Sequence, residues 1–148
     1  MNSADRLRET EKFLHAQIPL TRAMEVRVES YDAGQLTLSA PLAANHNHLG
    51  TAFGGSLAAL AMLAGYALLW LELGDRDAHV VISESTLKFR RPVQNLLRAI
   101  CRPPVATALA QFKAEFAARG KARLQLEVVI ENEGEIAVEF RGTYVARR

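Results

Sequence analysis

The sequence has one cysteine, Cys101, so no disulfide can close within the chain, and a reducing, cytoplasmic setting is the simpler expectation. It has no block of like charge. Eighteen Lys and Arg against sixteen Asp and Glu leave a net charge of +2, too little to point to nucleic acid. The four histidines and the lone cysteine fall at no metal-ligand spacing, so no metal site is expected. The first seventeen residues carry charges throughout and lack the apolar stretch and small-residue cleavage site of a secretory leader. Repeats, low-complexity segments and interdomain linkers are absent too. With 49% apolar residues over 148 positions, one domain spanning 1–148 is expected, burying roughly 70% of the surface its unfolded chain would expose.

One segment is long and apolar. Leu57 to Leu71 (LAALAMLAGYALLWL) is interrupted only by the Tyr66 hydroxyl. A membrane span needs ~20 apolar residues. This run is shorter, and much of it is alanine and glycine, which gain little from lipid. The spacing therefore predicts a fully buried core helix over 54–73, closed by Gly74 and Asp75, and not a membrane span.

Around it the pattern has period two. Met24, Val26 and Val28 alternate with charged residues. Asp32-Ala33-Gly34 signals a turn, and Leu36, Leu38 and Ala40 make a return strand ended by Pro41. A long strand over 79–91 is expected to carry Val81, Ser83, Ser85, Leu87 and Phe89 on one face and Glu84, Thr86, Lys88 and Arg90 on the other. A shorter strand follows over 97–102. Two more strands flank the turn Asn132-Glu133-Gly134. Two amphipathic helices complete the set: one over 4–17, capped by Ser3 and stopped by Pro19, and one over 105–119, closed by Gly120. A helix apolar on nearly every side must be surrounded, and a twisted antiparallel sheet curling around it does this. The fold class is α+β.

In this frame Asn47-His48-Leu49-Gly50-Thr51-Ala52-Phe53-Gly54-Gly55-Ser56, running into the Ala- and Leu-rich helix, resembles the hotdog-fold thioesterase superfamily. The nearest likeness is to the thioesterase domain at the C-terminus of YiiD-type acetyltransferase-like proteins. Ser85 to Val93, Gly120 to Ile130 and Phe140 to Ala146 fit as well. The 148 residues leave no room for an acetyltransferase half, so none is expected in them. The resemblance implies five or six antiparallel strands wrapped around the central helix. It implies a homodimer, or a tetramer built from dimers, with long strands paired edge to edge. It also implies an acyl thioester of coenzyme A or acyl carrier protein as ligand, with no cofactor beyond the coenzyme A of the substrate itself.

Thioester hydrolysis needs a polarised carbonyl, an activated water and a held leaving group. A helix N-terminus offers unpaired N–H groups and partial positive charge, which can act as an oxyanion hole. Gly54 and Gly55 have no side chain to obstruct a substrate. By resemblance the N–H of Gly54 points at the carbonyl and Asn47 orients carbonyl or water, with Asn45 the neighbouring alternative. A loop Asn bonded to its own backbone is an equal reading of Asn47. His46 and His48 could serve as a base or bind a phosphate, and in the absence of a helix carboxylate His48 and Glu84, the latter supplied by a partner subunit, are the candidates to activate water. Ser83 and Ser85 can hold water or bond to backbone. Lys88, Arg90 and Arg91, with Arg98 and Arg102 nearby, form a candidate phosphate-binding cluster.

Two positions depart from the relatives. Phe53 stands where His-Gly-Gly has its histidine. Met62 stands eight residues beyond Gly54, where many hotdog thioesterases carry an Asp or Glu. The first acid of the helix is Glu72, at its far end. An acyl-thioester hydrolase is thus the leading expectation. A module that binds acyl thioesters or coenzyme A without cleaving them is the alternative. A hotdog dehydratase is weaker, because no histidine pairs with a helix carboxylate.

Overall fold

The computed structural model describes residues 2–148. Its first helix, α1 (Ser3–Gln17), is capped by Asn2, whose side chain accepts from Asp5 N at 2.9 Å; Ser3, the expected cap, is already helical. Pro19 then does more than stop α1. It sits at the first position of a short helix, α2 (Pro19–Ala23), where its missing N–H costs nothing. The first strand, expected over 24–30, is therefore shifted along the chain to β1 (Arg27–Asp32). Met24, Val26 and Val28 are all buried as the alternation implied, but Glu25 takes a positive φ of 57° and keeps Met24 and Val26 out of the ladder.

β2 (Gln35–Ala40) follows a tight turn at Ala33 and Gly34. The central helix α3 runs Gly54–Leu73, and Gly74, at φ 60°, closes it by donating to Trp70 O at 3.2 Å. Then come β3 (His79–Phe89), β4 (Leu97–Cys101), α4 (Ala106–Arg119), β5 (Lys121–Asn132) and β6 (Glu135–Arg147). The six strands form one antiparallel sheet in the order β1-β2-β4-β5-β6-β3. The fold is an α+β hotdog. α3 is the sausage, and by length and composition alone it is apolar enough to cross a membrane; most of its leucines and alanines are instead buried against the sheet.

Cross-strand register explains the core. Val28, Leu38, Ala99, Ile130 and Val138 form one inward row, and Leu36, Cys101, Val128, Phe140 and Leu87 form the next. Each inward row meets α3. Helix and sheet approach closely at Gly65, where an added Cβ would lie 2.3 Å from the Tyr144 hydroxyl. β3 is an edge strand, eleven residues long, with one side unpaired.

The long strand differs from its expected alternation in one respect. A bulge lies between Ile82 and Glu84, where Ile82 opposes Tyr144 and Glu84 opposes Thr143. The extra residue, Ser83, shifts the faces. Before the bulge Val80 and Ile82 point inward and Val81 is exposed; after it Ser85, Leu87 and Phe89 point inward. Ser83 is therefore not on the inner face. It is exposed, with Oγ 3.3 Å from Thr143 O.

Candidate active site at the start of the central helix

The loop before α3 is a small closed structure. Asn45 is buried; its Nδ2 donates to Met24 O at 2.9 Å and Pro41 O at 2.8 Å, and its backbone carbonyl accepts from Phe53 N at 2.8 Å. His46 bridges to Ala52, and Ala52 N donates to Val93 O at 2.8 Å. Within this frame Asn47 organises the tip. Its N–H donates to Thr51 O at 2.7 Å. Its Oδ1 accepts from Leu49 N at 2.8 Å and Thr51 N at 3.2 Å, and its Nδ2 donates to Thr51 Oγ1 at 2.9 Å. The Asn47 side chain is thus occupied by its own loop. Gly50, at φ 80°, supplies the left-handed residue that the tip requires. His48 and Leu49 lie exposed at that tip.

The loop delivers Phe53 as the N-cap of α3. No side chain caps the helix, and its first turn holds no acid. Among the described residues, the N–H groups of Gly54, Gly55 and Ser56 have no acceptor; the first bond of the helix is Leu57 N to Phe53 O at 3.1 Å. Three donors and the positive end of a 20-residue helix therefore converge on one spot. Two aromatic rings flank it. Phe53 folds over Gly55, so that a Cβ there would lie 2.4 Å from the ring, and Phe89, at the end of β3, lies 3.8 Å from where a Cβ on Gly54 would be. Both rings are more than half exposed. Exposed rings beside unpaired donors are the combination expected of a site that binds a carbonyl within an apolar molecule.

The cationic cluster follows Phe89 directly. Arg90 makes a two-bond contact with Glu139, Nε to Oε1 at 3.1 Å and a second guanidinium nitrogen to Oε2 at 3.2 Å, and this hydrogen bond holds the Glu139 carboxyl below its ordinary range. Arg91 pairs with Glu135 at 2.9 Å. Lys88 points to the outer sheet face opposite Glu139. Arginine 90 and 91 are thus near the helix start but already share carboxylates.

Among the described residues, α3 brings no acid to the site. Met62 is half-buried on α3. Glu72, at the other end, accepts from the Tyr31 hydroxyl and from Lys113 Nζ at 3.0 Å. Glu84 is exposed on the outer face. Among the described residues no cluster of His, Cys, Asp and Glu could hold a metal. Gly54, Gly55 and Phe53 are gathered in one place, Ser85 lies further down the inner face of β3, and Ser83 is turned away. Phe89 was legible as inward-facing, but its role as a wall of the site was not, because alternation does not reveal that the inner face ends there uncovered.

Residues 7–148 match the family described as Putative thioesterase (yiiD_Cterm), and the chain belongs to that family. Three solved structures sharpen the likeness. A protein of unknown function from Chlorobaculum tepidum shares 33% identity at TM-score 0.90, covering 99% of this chain and 96% of its own. A protein from Shewanella oneidensis, described as a putative thioesterase, shares 28% identity at TM-score 0.85 over 98% and 99% of the two chains. A Pseudomonas aeruginosa protein described as a probable thioesterase shares 31% identity at TM-score 0.78 over 99% and 96%.

Proposed function

We propose that this protein hydrolyses acyl thioesters of coenzyme A or acyl carrier protein, binding the thioester carbonyl at the N-terminus of α3. The observation that carries the reading is the set of unpaired Gly54, Gly55 and Ser56 N–H groups between the Phe53 and Phe89 rings. In a low-dielectric, partly apolar setting such donors stabilise the oxyanion of a tetrahedral intermediate, and loss of one costs roughly a hundred- to a thousandfold in kcat. Water attacks the carbonyl carbon and gives up a proton, the carbonyl oxygen takes the negative charge, and collapse breaks the carbon–sulfur bond so that the sulfur takes up a proton and leaves as the thiol. Family membership supports the thioester as the bond acted on. Asn47 serves as the strut that fixes the loop and so aims the helix start.

The protein works in this reading as a homodimer in which the free side of β3 pairs with its copy. An eleven-residue unpaired edge favours this, because such an edge is otherwise a template for uncontrolled pairing. Dimerisation brings a second set of His48, Glu84 and Ser85 side chains as candidates to activate water, which α3 itself cannot do.

The test is release of free thiol from a panel of acyl-CoA and acyl carrier protein thioesters. No turnover above background on the whole panel would end the hydrolase reading. A second reading, a binder that holds the thioester intact, is favoured by Met62 and Phe53, which put apolar surface where relatives place chemistry. It expects coenzyme A or acyl-CoA to raise the melting temperature by linkage, with the ligand recovered uncleaved.

A further inference from the structure

We infer that a cleft on the outer face of the sheet binds a phosphate monoester between Lys88 of β3 and Arg102 at the end of β4. The cleft lies on the opposite side of the sheet from α3, and the inference does not depend on the thioester reading.

Cross-strand register places the side chains. Leu87, Phe140, Val128 and Cys101 share an inward row, so their neighbours in each strand point outward. In one outward row Lys88 opposes Glu139, which opposes Val129; in the next, Thr86 opposes Arg141, which opposes Glu127. Arg102, the residue after Cys101, extends that second row, and its N–H donates to Glu127 O at 3.1 Å. These side chains line a cleft of about 240 Å³ whose apolar part is Val129, 8% exposed, and the half-buried Ile136. β5 and β6 lie between β4 and β3, so three strand spacings, roughly 14 Å, separate the backbones of Arg102 and Lys88. Two long cationic side chains that line one cleft from opposite sides can close on a single anion. Arg90 and Arg91 are not part of its lining.

The charge of the cleft matches a phosphate. Its two carboxylates are already committed: Glu139 makes two bonds to Arg90, at 3.1 and 3.2 Å, and Glu127 pairs with Arg141 at 3.5 Å. Among the described residues, neither Lys88 nor Arg102 has a carboxylate within ion-pair distance. Their two positive charges are therefore left over. Both act in the same place, because Lys88 and Arg102 each help to hold the Glu139 carboxyl below its ordinary range. A phosphate monoester carries about −1.5 to −2 at neutral pH and offers three oxygens to ammonium and guanidinium donors. A carboxylate ligand would neutralise only half of the surplus. Size points the same way. Sites for whole drug-sized ligands run roughly 300–1,000 Å³. This cleft is smaller, and fits a phosphoryl group with the sugar that carries it, the carbon face of the sugar against Val129 and Ile136.

The experiment titrates the full chain with inorganic phosphate and with adenosine 3′,5′-bisphosphate by calorimetry in chloride buffer. It is repeated on Lys88→Gln, Arg102→Gln, their double variant, and Lys12→Gln, which removes an exposed cation of α1. The native chain should bind both probes, and affinity should fall as salt is added. Loss of either cation should weaken binding about tenfold, and loss of both by more. Lys12→Gln should change nothing. All four positions are exposed, so the variants should keep the native melting temperature; the single variants stand in if the double one does not. Coenzyme A and dephospho-coenzyme A then identify the source of the phosphate. A double variant that loses affinity for the first and not for the second assigns the cleft to the 3′-phosphate of coenzyme A. Unchanged affinity for both, with phosphate binding lost, assigns it to a separate phosphorylated ligand, and either result supports the site. No binding of either probe to the native chain, binding that the double variant retains, or an equal loss in Lys12→Gln overturns it. Since binding is read without hydrolysis, that failure leaves the thioester reading untouched.

Discussion

The hydroxyl of Tyr144 donates to the backbone carbonyl of Met62 at 2.7 Å, and it does so through the space that a side chain at position 65 would fill. This contact joins the middle of β6 to the middle of α3. It lets a fully buried phenol satisfy its polar atom inside an apolar core, where an unmade hydrogen bond would cost about 1–3 kcal/mol. Burial also drives the Tyr144 pKa upward, so the donor stays protonated.

Two substitutions separate space from bonding. Gly65→Ala forces the ring away and should destabilise by about 1–3 kcal/mol, the usual range for an overpacked core, despite alanine's better helix propensity. Tyr144→Phe removes only the hydroxyl, leaves Met62 O its helical partner, and should cost about 0.5–1.5 kcal/mol. Chemical denaturation of both variants checks the order. Equal losses would mean that Gly65 is not there for the ring.

How much of this was legible beforehand depends on the range of the signal. The boundaries of α3 followed from local features: an apolar run, Gly54-Gly55 before it and Gly74 after it. The strand pairs around Gly34 and Gly134 were local as well, because left-handed turn residues are written in the sequence. Ser83 was misplaced because a bulge is decided by pairing with Thr143 and Tyr144, sixty residues away. The Gly65–Tyr144 fit is equally non-local. At the site, the glycines could be read as a helix start, whereas the employment of Asn47 by its own loop could not, since an Asn bonded to its neighbours and one bonded to a ligand look alike in sequence.

Asn47 gives an expectation that differs from that of a substrate-binding residue. Asn47→Ala removes both acceptor bonds and the donor bond that hold the tip, and should impair thioester turnover strongly. Asn47→Asp keeps the acceptor for Leu49 N and Thr51 N and should retain most activity. Kinetics of the two variants on one substrate decide this; equal loss in both would assign the amide N–H to the substrate.

Glu72 ties α3 to β1 and α4. Burial works against its charge, but the hydrogen bonds from Tyr31 and Lys113, with the charges of Lys113 and Arg6, outweigh burial and hold its pKa below the ordinary value. A depressed folded pKa contributes stability that is present above the unfolded value and lost as pH falls through the folded one. Glu72→Gln should therefore lower the melting temperature at neutral pH, and the gap should narrow as pH drops through and below the usual glutamate range. A gap independent of pH would show that packing, and not charge, is what the substitution removes.

Cys101 lies in the inward row between Leu36 and Val128, and burial pushes its thiol pKa up to about 12. Thiolate is the reactive form, so the native protein should resist alkylation at mildly alkaline pH. Labelling followed by mass spectrometry should track unfolding as denaturant is added. Rapid labelling of the native state would mean that β4 opens locally.

The arginines after Phe89 bear on which carrier is recognised. Arg90 and Arg91 are about half exposed, and their bonds to Glu139 and Glu135 are surface ion pairs worth little by themselves, so a phosphate can displace the carboxylates at small cost. If they hold the nucleotide end of coenzyme A, Arg90→Ala combined with Arg91→Ala should raise KM for an acyl-CoA by about tenfold, equivalent to ~1.4 kcal/mol, and the effect should shrink as salt is added. The same double variant should leave KM for the matching acyl-pantetheine unchanged, since that substrate has the thioester and the arm but no nucleotide. Parallel loss on both substrates would place the defect in the end of β3, where Phe89 walls the carbonyl site, and would remove the arginines from coenzyme A recognition.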